Sequence, residues 1–155
     1  MPMKKRAVIQ MTSEEEAKFI ESSKTMILVT NGKDGWPHTM AMWFVLREGR
    51  PILSTFAKSQ KVLNIRRDPR VTILVEAGEN YEELRGVMIR GRAEIVEDRA
   101  FVEEVQIAFA RKYVGGPFIE GTAEMVRARA AKRVAIRVVP LESVSWDHAK
   151  LGGGY

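Results

Sequence analysis

The apolar positions fall into short runs separated by turn-rich gaps, and the period of each run predicts an element. "TSEEEAKFIESS" (12–23) has a charged first turn ahead of Phe19 and Ile20. Thr12 or Ser13 can cap a helix there, with Glu15 or Glu16 completing a capping box at its positive end. "KTMILVT" (24–30) is a short β-rich run, and "NGKDGW" after it carries two turn glycines. "PHTMAMWFVLREGRPILSTF" (37–56) predicts a second strand, a turn near Glu48–Pro51 and a third strand. Residues 59–67 are helical in composition and stop before Asp68–Pro69, because a proline disfavours helix in the residue before it.

"RVTILVEA" (70–77) is a fourth strand, and "RGVMIRGRAEIVED" (85–98) a long fifth with Gly86 and Gly91 as bulge positions. Over 98–113 the apolar residues at 101, 102, 105, 108 and 109 have helical spacing. A polar helix follows around 122–132. "KRVAIRVVPLESVSW" (132–146) is the sixth strand, where Pro140 suggests an edge or a bulge. Strands joined by tight turns favour an antiparallel sheet, and six of them close naturally as a barrel with flanking helices, a mainly β fold of the α+β kind. No glycine-rich loop joins a strand to a helix, which argues against a dinucleotide-binding fold or a P-loop.

At 155 residues the expected organisation is one domain, 1–155, with an N-terminal arm (1–11) and a C-terminal tail (147–155). The chain has no cysteine, so disulfides and thiolate chemistry are excluded. The N-terminus lacks the apolar stretch of a signal peptide. The longest strongly apolar run, "MAMWFVL", is far below the roughly 20 residues needed to span a bilayer. A cytoplasmic protein without membrane association is expected. The net charge of +5 favours anionic partners in general. No helix-turn-helix, zinc-finger or aromatic RNA-binding signal accompanies it, so nucleic acid is not expected as a partner.

Five cations crowd "TFAKSQKVLNIRRDPRV" (55–71): Lys58, Lys61, Arg66, Arg67 and Arg70. Arg66 and Arg67 fall in the last helical turn, where the macrodipole stabilises cations by roughly 0.3–1 kcal/mol each and no ligand is needed. Lys58 and Lys61 flank the helix start, where the dipole disfavours them unless something negative is present. A neighbouring carboxylate, chloride or a phosphate would serve, and Ser54, Thr55 and Ser59 add hydroxyl donors nearby. In the second strand one face carries His38, Met40, Met42 and Phe44, the other Thr39, Ala41, Trp43 and Val45. Both faces are largely apolar. The strand therefore reads either as core, covered on both sides, or as a flat wall for a planar ring on its Thr39/Ala41 side.

Taken in order, "WPHTMAMWFV", "ILSTFAKSQKVLNIRRDPRVTILVEAG", "RGVMIRGRAEIVED" and "RVAIRVVPLESVSWDHAKLGG" resemble the pyridoxamine-phosphate-oxidase-like flavin and deazaflavin oxidoreductases over residues 12–152. The resemblance implies a split β-barrel of the FMN-binding type that forms a homodimer, with two cofactor sites at the interface. It places Ser54, Thr55, Lys58, Ser59, Lys61 and Asn64 at the cofactor phosphate. It places His38, Thr39, Met40 and Ala41 beside the ring. Near the C-terminus it implicates Trp146 and Lys150, acting in cis or from the other protomer.

The arginine- and histidine-bearing substrate motif of true pyridoxamine phosphate oxidases is missing, and the chain is closer to the small branch in which many members use coenzyme F420. A reductase using F420 as hydride donor to an unsaturated small organic acceptor is therefore implied. The alternatives are an FMN-dependent oxidoreductase of the same family and a non-catalytic flavin-, deazaflavin- or haem-binding protein. Neither a catalytic proton donor nor a metal site is legible. The acceptor is expected on the open ring face, bounded by the tail, loop 114–122 and Tyr81.

Overall fold

The computed structural model describes residues 4–115 and 120–153, with the side chains of 120–122 left aside. Residues 116–119 of the expected acceptor loop, 1–3 of the arm and 154–155 of the tail lie outside the described residues. Helix α1 (Lys5–Ile9) precedes α2 (Ser13–Ser22), which begins with the expected capping box between Thr12 and Glu15. The strands are β1 (Met26–Asn31), β2 (Pro37–Met42), β3 (Val45–Arg47), β4 (Arg50–Phe56), β5 (Arg70–Ala77), β6 (Arg85–Val96) and β7 (Arg133–Asp147). Helix α3 (Gln60–Arg67) joins β4 to β5, while α4 (Arg99–Phe109), a π-helical turn (Ala110–Val114) and α5 (Glu120–Ala130) lie between β6 and β7.

All seven strands form one antiparallel sheet in the order β2-β1-β5-β6-β7-β4-β3. The expected second strand is thus two strands, broken at Trp43–Phe44, and its halves lie at opposite edges of the sheet. Laid flat, those edges would be about 29 Å apart at the usual strand spacing. The link from Met42 to Val45 reaches at most about 11 Å. The sheet must therefore curl until its edges meet, which is why a barrel forms. It stays split because β2 pairs with β1 and β3 with β4, and not with each other.

Inside the curl, Met26, Leu28, Phe44, Leu53, Ile73, Val87, Ile136 and Val138 form the main core. A second cluster, with Val45, Ile52, Val102, Val105, Phe109 and Ala130, binds α4 and α5 to the outside of β3, β4 and β7. The bulge expected at Gly91 is present: Arg90 pairs with Glu142 and Gly91 with Pro140, leaving Leu141 as the extra residue. Pro140 marks that bulge, not an edge, since β7 lies between β6 and β4. Gly86 is no bulge. It pairs regularly with Trp146, and a Cβ there would stand 2.4 Å from the Trp146 ring. Among the described residues no helix is long and apolar enough to cross a membrane.

Candidate functional site

Strand β3 pairs only with Arg50–Ile52, so the second half of β4 faces the split. There β2, β4, α3, α4 and α5 surround a cleft of about 560 Å³. Its floor carries Ser54, Thr55, Lys61 and Gln106; its rim carries the exposed apolar residues Met40, Trp43, Phe56, Val114 and Met125. Exposed apolar side chains gathered around a polar floor suit an amphiphilic ligand.

The floor is tied together locally. Lys61 Nζ donates to Thr55 Oγ1 (3.1 Å), Thr55 Oγ1 lies 3.2 Å from Ser59 Oγ, and Gln106 Nε2 donates to Ser54 Oγ at 2.5 Å. Ser59 is the N-cap of α3 but makes no side-chain capping bond, so its hydroxyl is not committed to the helix start. Burial pushes the Lys61 ammonium below its ordinary range, and Arg133 adds to the effect. Arg133 is lowered in turn by burial and by Arg129. All three cations line the cleft, and among the described lining residues there is no carboxylate.

The wall opposite β2 is pinned at the strand break. The Tyr113 ring stacks on Trp43 with centroids 4.2 Å apart and planes 2° from parallel. The Phe44 N–H donates to Tyr113 Oη (2.9 Å), and the hydroxyl has the Phe44 and Lys24 carbonyls at 2.7 and 2.8 Å as acceptors. Lys112 Nζ donates to the Phe44 carbonyl at 3.0 Å. Burial raises the Tyr113 pKa, so the phenol stays neutral and serves as a clasp.

Of the residues singled out from the sequence, Met40, Ala41, Ser54, Thr55 and Lys61 line this cleft. Ser59 touches it through Thr55, and Lys58 is exposed beside the start of α3. Asn64 is fully buried; its amide donates to Thr30 Oγ1 (3.0 Å) and accepts from Gln60 (2.9 Å). His38 faces the barrel side opposite Thr30, and its buried Nδ1 has no hydrogen-bond partner among the described residues. Thr39 is on the opposite face, across from Val29. Trp146 covers Gly86, while Lys150 donates to the Gln10 carbonyl (2.9 Å) and pairs with Glu15 (2.6 Å). Of the two readings of this strand, the one that covers it on both sides is not met within the chain: β2 is an edge strand with Thr39, Met40 and Ala41 exposed.

Gln106, Arg129 and Arg133 escaped the sequence reading. Arg133 reaches the cleft through the register that sets it opposite Phe56, a pairing between strands far apart in the chain. The helical spacing of 98–113 located α4 but gave no reason to single out Gln106. Trp43 was visible as an apolar residue, with no turn residue to signal the break beside it.

The family model for pyridoxamine 5'-phosphate oxidase matches residues 12–147. A conserved hypothetical protein from Mycobacterium tuberculosis is 44% identical, with TM-score 0.90, covering 99% of this chain and 95% of that one. A structure described as an F420 reductase is 28% identical, with TM-score 0.68, covering 85% and 98%. The haem storage protein HutZ from Vibrio cholerae, 17% identical with TM-score 0.66 over 86% and 94%, shares the fold. Among curated proteins, none matches this sequence. With the split sheet, the cleft at its opening and a family match over most of its length, the chain belongs to the pyridoxamine 5'-phosphate oxidase family.

Proposed function

We propose that the cleft holds a phosphate-bearing deazaflavin, coenzyme F420, and that the protein is a reductase acting on an unsaturated small organic acceptor. The observation that carries this reading is Lys61, a half-buried cation beside the Thr55 and Ser59 hydroxyls, with no carboxylate among the described lining residues. Those donors fit a phosphate, and a helix start without a side-chain cap adds to the attraction. Met40, Ala41 and Trp43 offer an apolar wall for the ring. When bound, the reduced cofactor would supply the hydride; the chain supplies binding, orientation and exclusion of water. The 28% identical F420 reductase supports the choice of deazaflavin. FMN presents a phosphate at the same end of its ribityl chain and a similar ring, and is the rival cofactor. Titrating purified protein side by side with F420 and FMN tests the reading. Saturable binding of F420 with weaker FMN binding is expected, and tighter FMN binding would transfer the reading to FMN.

The same proposal includes a homodimer formed through the outer face of the sheet. There Ala41, Ile27, Leu74, Met88 and Val144 lie in one cross-strand row, opposite in register on five adjacent strands. Leu141, 68% exposed at the bulge, shares a hollow with Val29, Thr72 and Arg90, which form the next row along the same face. Trp146 is on the same face, two residues along β7 from Val144. That placement supports a contribution from Trp146 across the interface, whereas Lys150 is held within its own chain by Glu15 and the Gln10 carbonyl. Leu141→Asp is expected to shift the protein toward monomer in sedimentation analysis, and an unchanged dimer would remove this face from the proposal.

A further inference from the structure

We infer that the Arg129–Arg133 end of the cleft is a second anion subsite, which takes the carboxylate of a flat apolar acid serving as substrate. The substrate role rests on the function proposed above; the subsite itself rests on the geometry.

The three cations are arranged in sequence. Arg133 is the neighbour that acts on Lys61, and Arg129 is the neighbour that acts on Arg133. The phosphate of F420 is a diester and carries a single negative charge. It would offset Lys61, leaving Arg133 and Arg129 without a counter-charge among the described lining residues. Elsewhere the fold supplies carboxylates freely: Arg47, Arg66, Arg70, Arg90, Arg99 and Arg137 each have one within 3.2 Å. The negative end of α5 accounts for tolerating a cation at Arg129. It does not account for a second arginine beside it, half-buried at the start of β7.

Arg133 lies over the Phe56 ring, 4.3 Å from its centroid. A guanidinium stacked on an aromatic face keeps its edge free, and that edge suits the two oxygens of a carboxylate. Met125 and Val126, one helical turn before Arg129 on α5, line the same cleft together with Phe109 and Val114. Phe109 is rigid and Met125 adaptable, a combination that accepts a flat hydrocarbon body without demanding one shape. The ligand class that follows is an aromatic or conjugated acid with its charge at one end.

The test uses 1-naphthoate and its neutral counterpart 1-naphthamide, titrated calorimetrically into the full chain at pH 7 and low salt. The acid is expected to bind about tenfold more tightly than the amide, the discrimination given by a charge-assisted hydrogen bond. Arg129→Gln combined with Arg133→Gln should reduce that ratio to about twofold or less, while Lys61→Ala should preserve it. Arg129→Lys, which keeps the charge and loses the fork, should give an intermediate ratio. Circular dichroism establishes that each variant is folded. Equal binding of acid and amide by the wild type overturns the inference. So does a ratio that survives the double substitution, or one abolished by Lys61→Ala, which would put the probe in the phosphate socket. Failure of both F420 and FMN to bind would sink the proposed function and leave the naphthoate result standing; the converse outcome sinks only the subsite.

Discussion

The two ends of α3 carry similar cations in opposite circumstances. At its C-terminal end Arg66 pairs with Glu97, Arg70 with Asp68, and Arg67 donates to the Asn31 carbonyl. The Asp68 carboxyl is held well below its usual range by Arg70 and by the Asn31 amide. At the N-terminal end Lys61 has a hydroxyl for a partner, and the charge that acts on it is another cation, Arg133. One end is electrostatically complete and the other is not. That contrast between a neutralised set of cations and a desolvated, unmatched one is what supports the proposed place for a ligand's charge.

Substitutions along this helix can break or sharpen the contrast. Lys61→Ala is expected to weaken cofactor binding by about 1.5–3 kcal/mol in a fluorescence titration, the range for a charged hydrogen bond. An unchanged affinity would mean that the incomplete end is not the phosphate socket. Asn64→Ala, midway along α3, should lower unfolding stability by about 1–3 kcal/mol in urea, because it strands the buried Thr30 hydroxyl. Stability within error of wild type would deny the helix this anchor.

The pH dependence separates the ends more gently. Lys61 has a depressed pKa in the free protein, and a bound anion raises it. Affinity should therefore hold near neutral pH and fall as pH rises through the free-protein value. The fall should begin below the ordinary lysine value of about 10.4. An affinity that is flat through that range would show that the lysine charge is not in contact with the ligand. The smallest effect is expected for Arg67→Ala, which should change cofactor affinity by less than about 0.5 kcal/mol, as for an exposed residue away from a site. A loss as large as that of Lys61→Ala would erase the distinction between the ends.

Local patterns in the sequence carry more of this fold than of its long-range closure. The capping box at Thr12, the stop before Pro69 and the bulge at Gly91 depend on neighbours in sequence, and all were legible there. The break at Trp43–Phe44 was not. It contains no glycine, proline or asparagine, and it arises because one apolar stretch must serve both edges of a curled sheet. The cleft divides in the same way. Thr55, Ser59 and Lys61 are close neighbours along the chain, so their meeting was readable. Gln106, Arg129 and Arg133 join them only through the packing of α4 and α5 and the register between β4 and β7.

Because of that break, Trp43 and Phe44 are a tether of fixed length between the two lips of the barrel, and the Tyr113 clasp holds the tether taut. The width of the opening is thereby set by a number of peptide units as much as by the side chains that line it. A single residue inserted at this point would add about 3.5 Å of reach. Ligand size in such a barrel can change by an insertion that alters no contact residue at all.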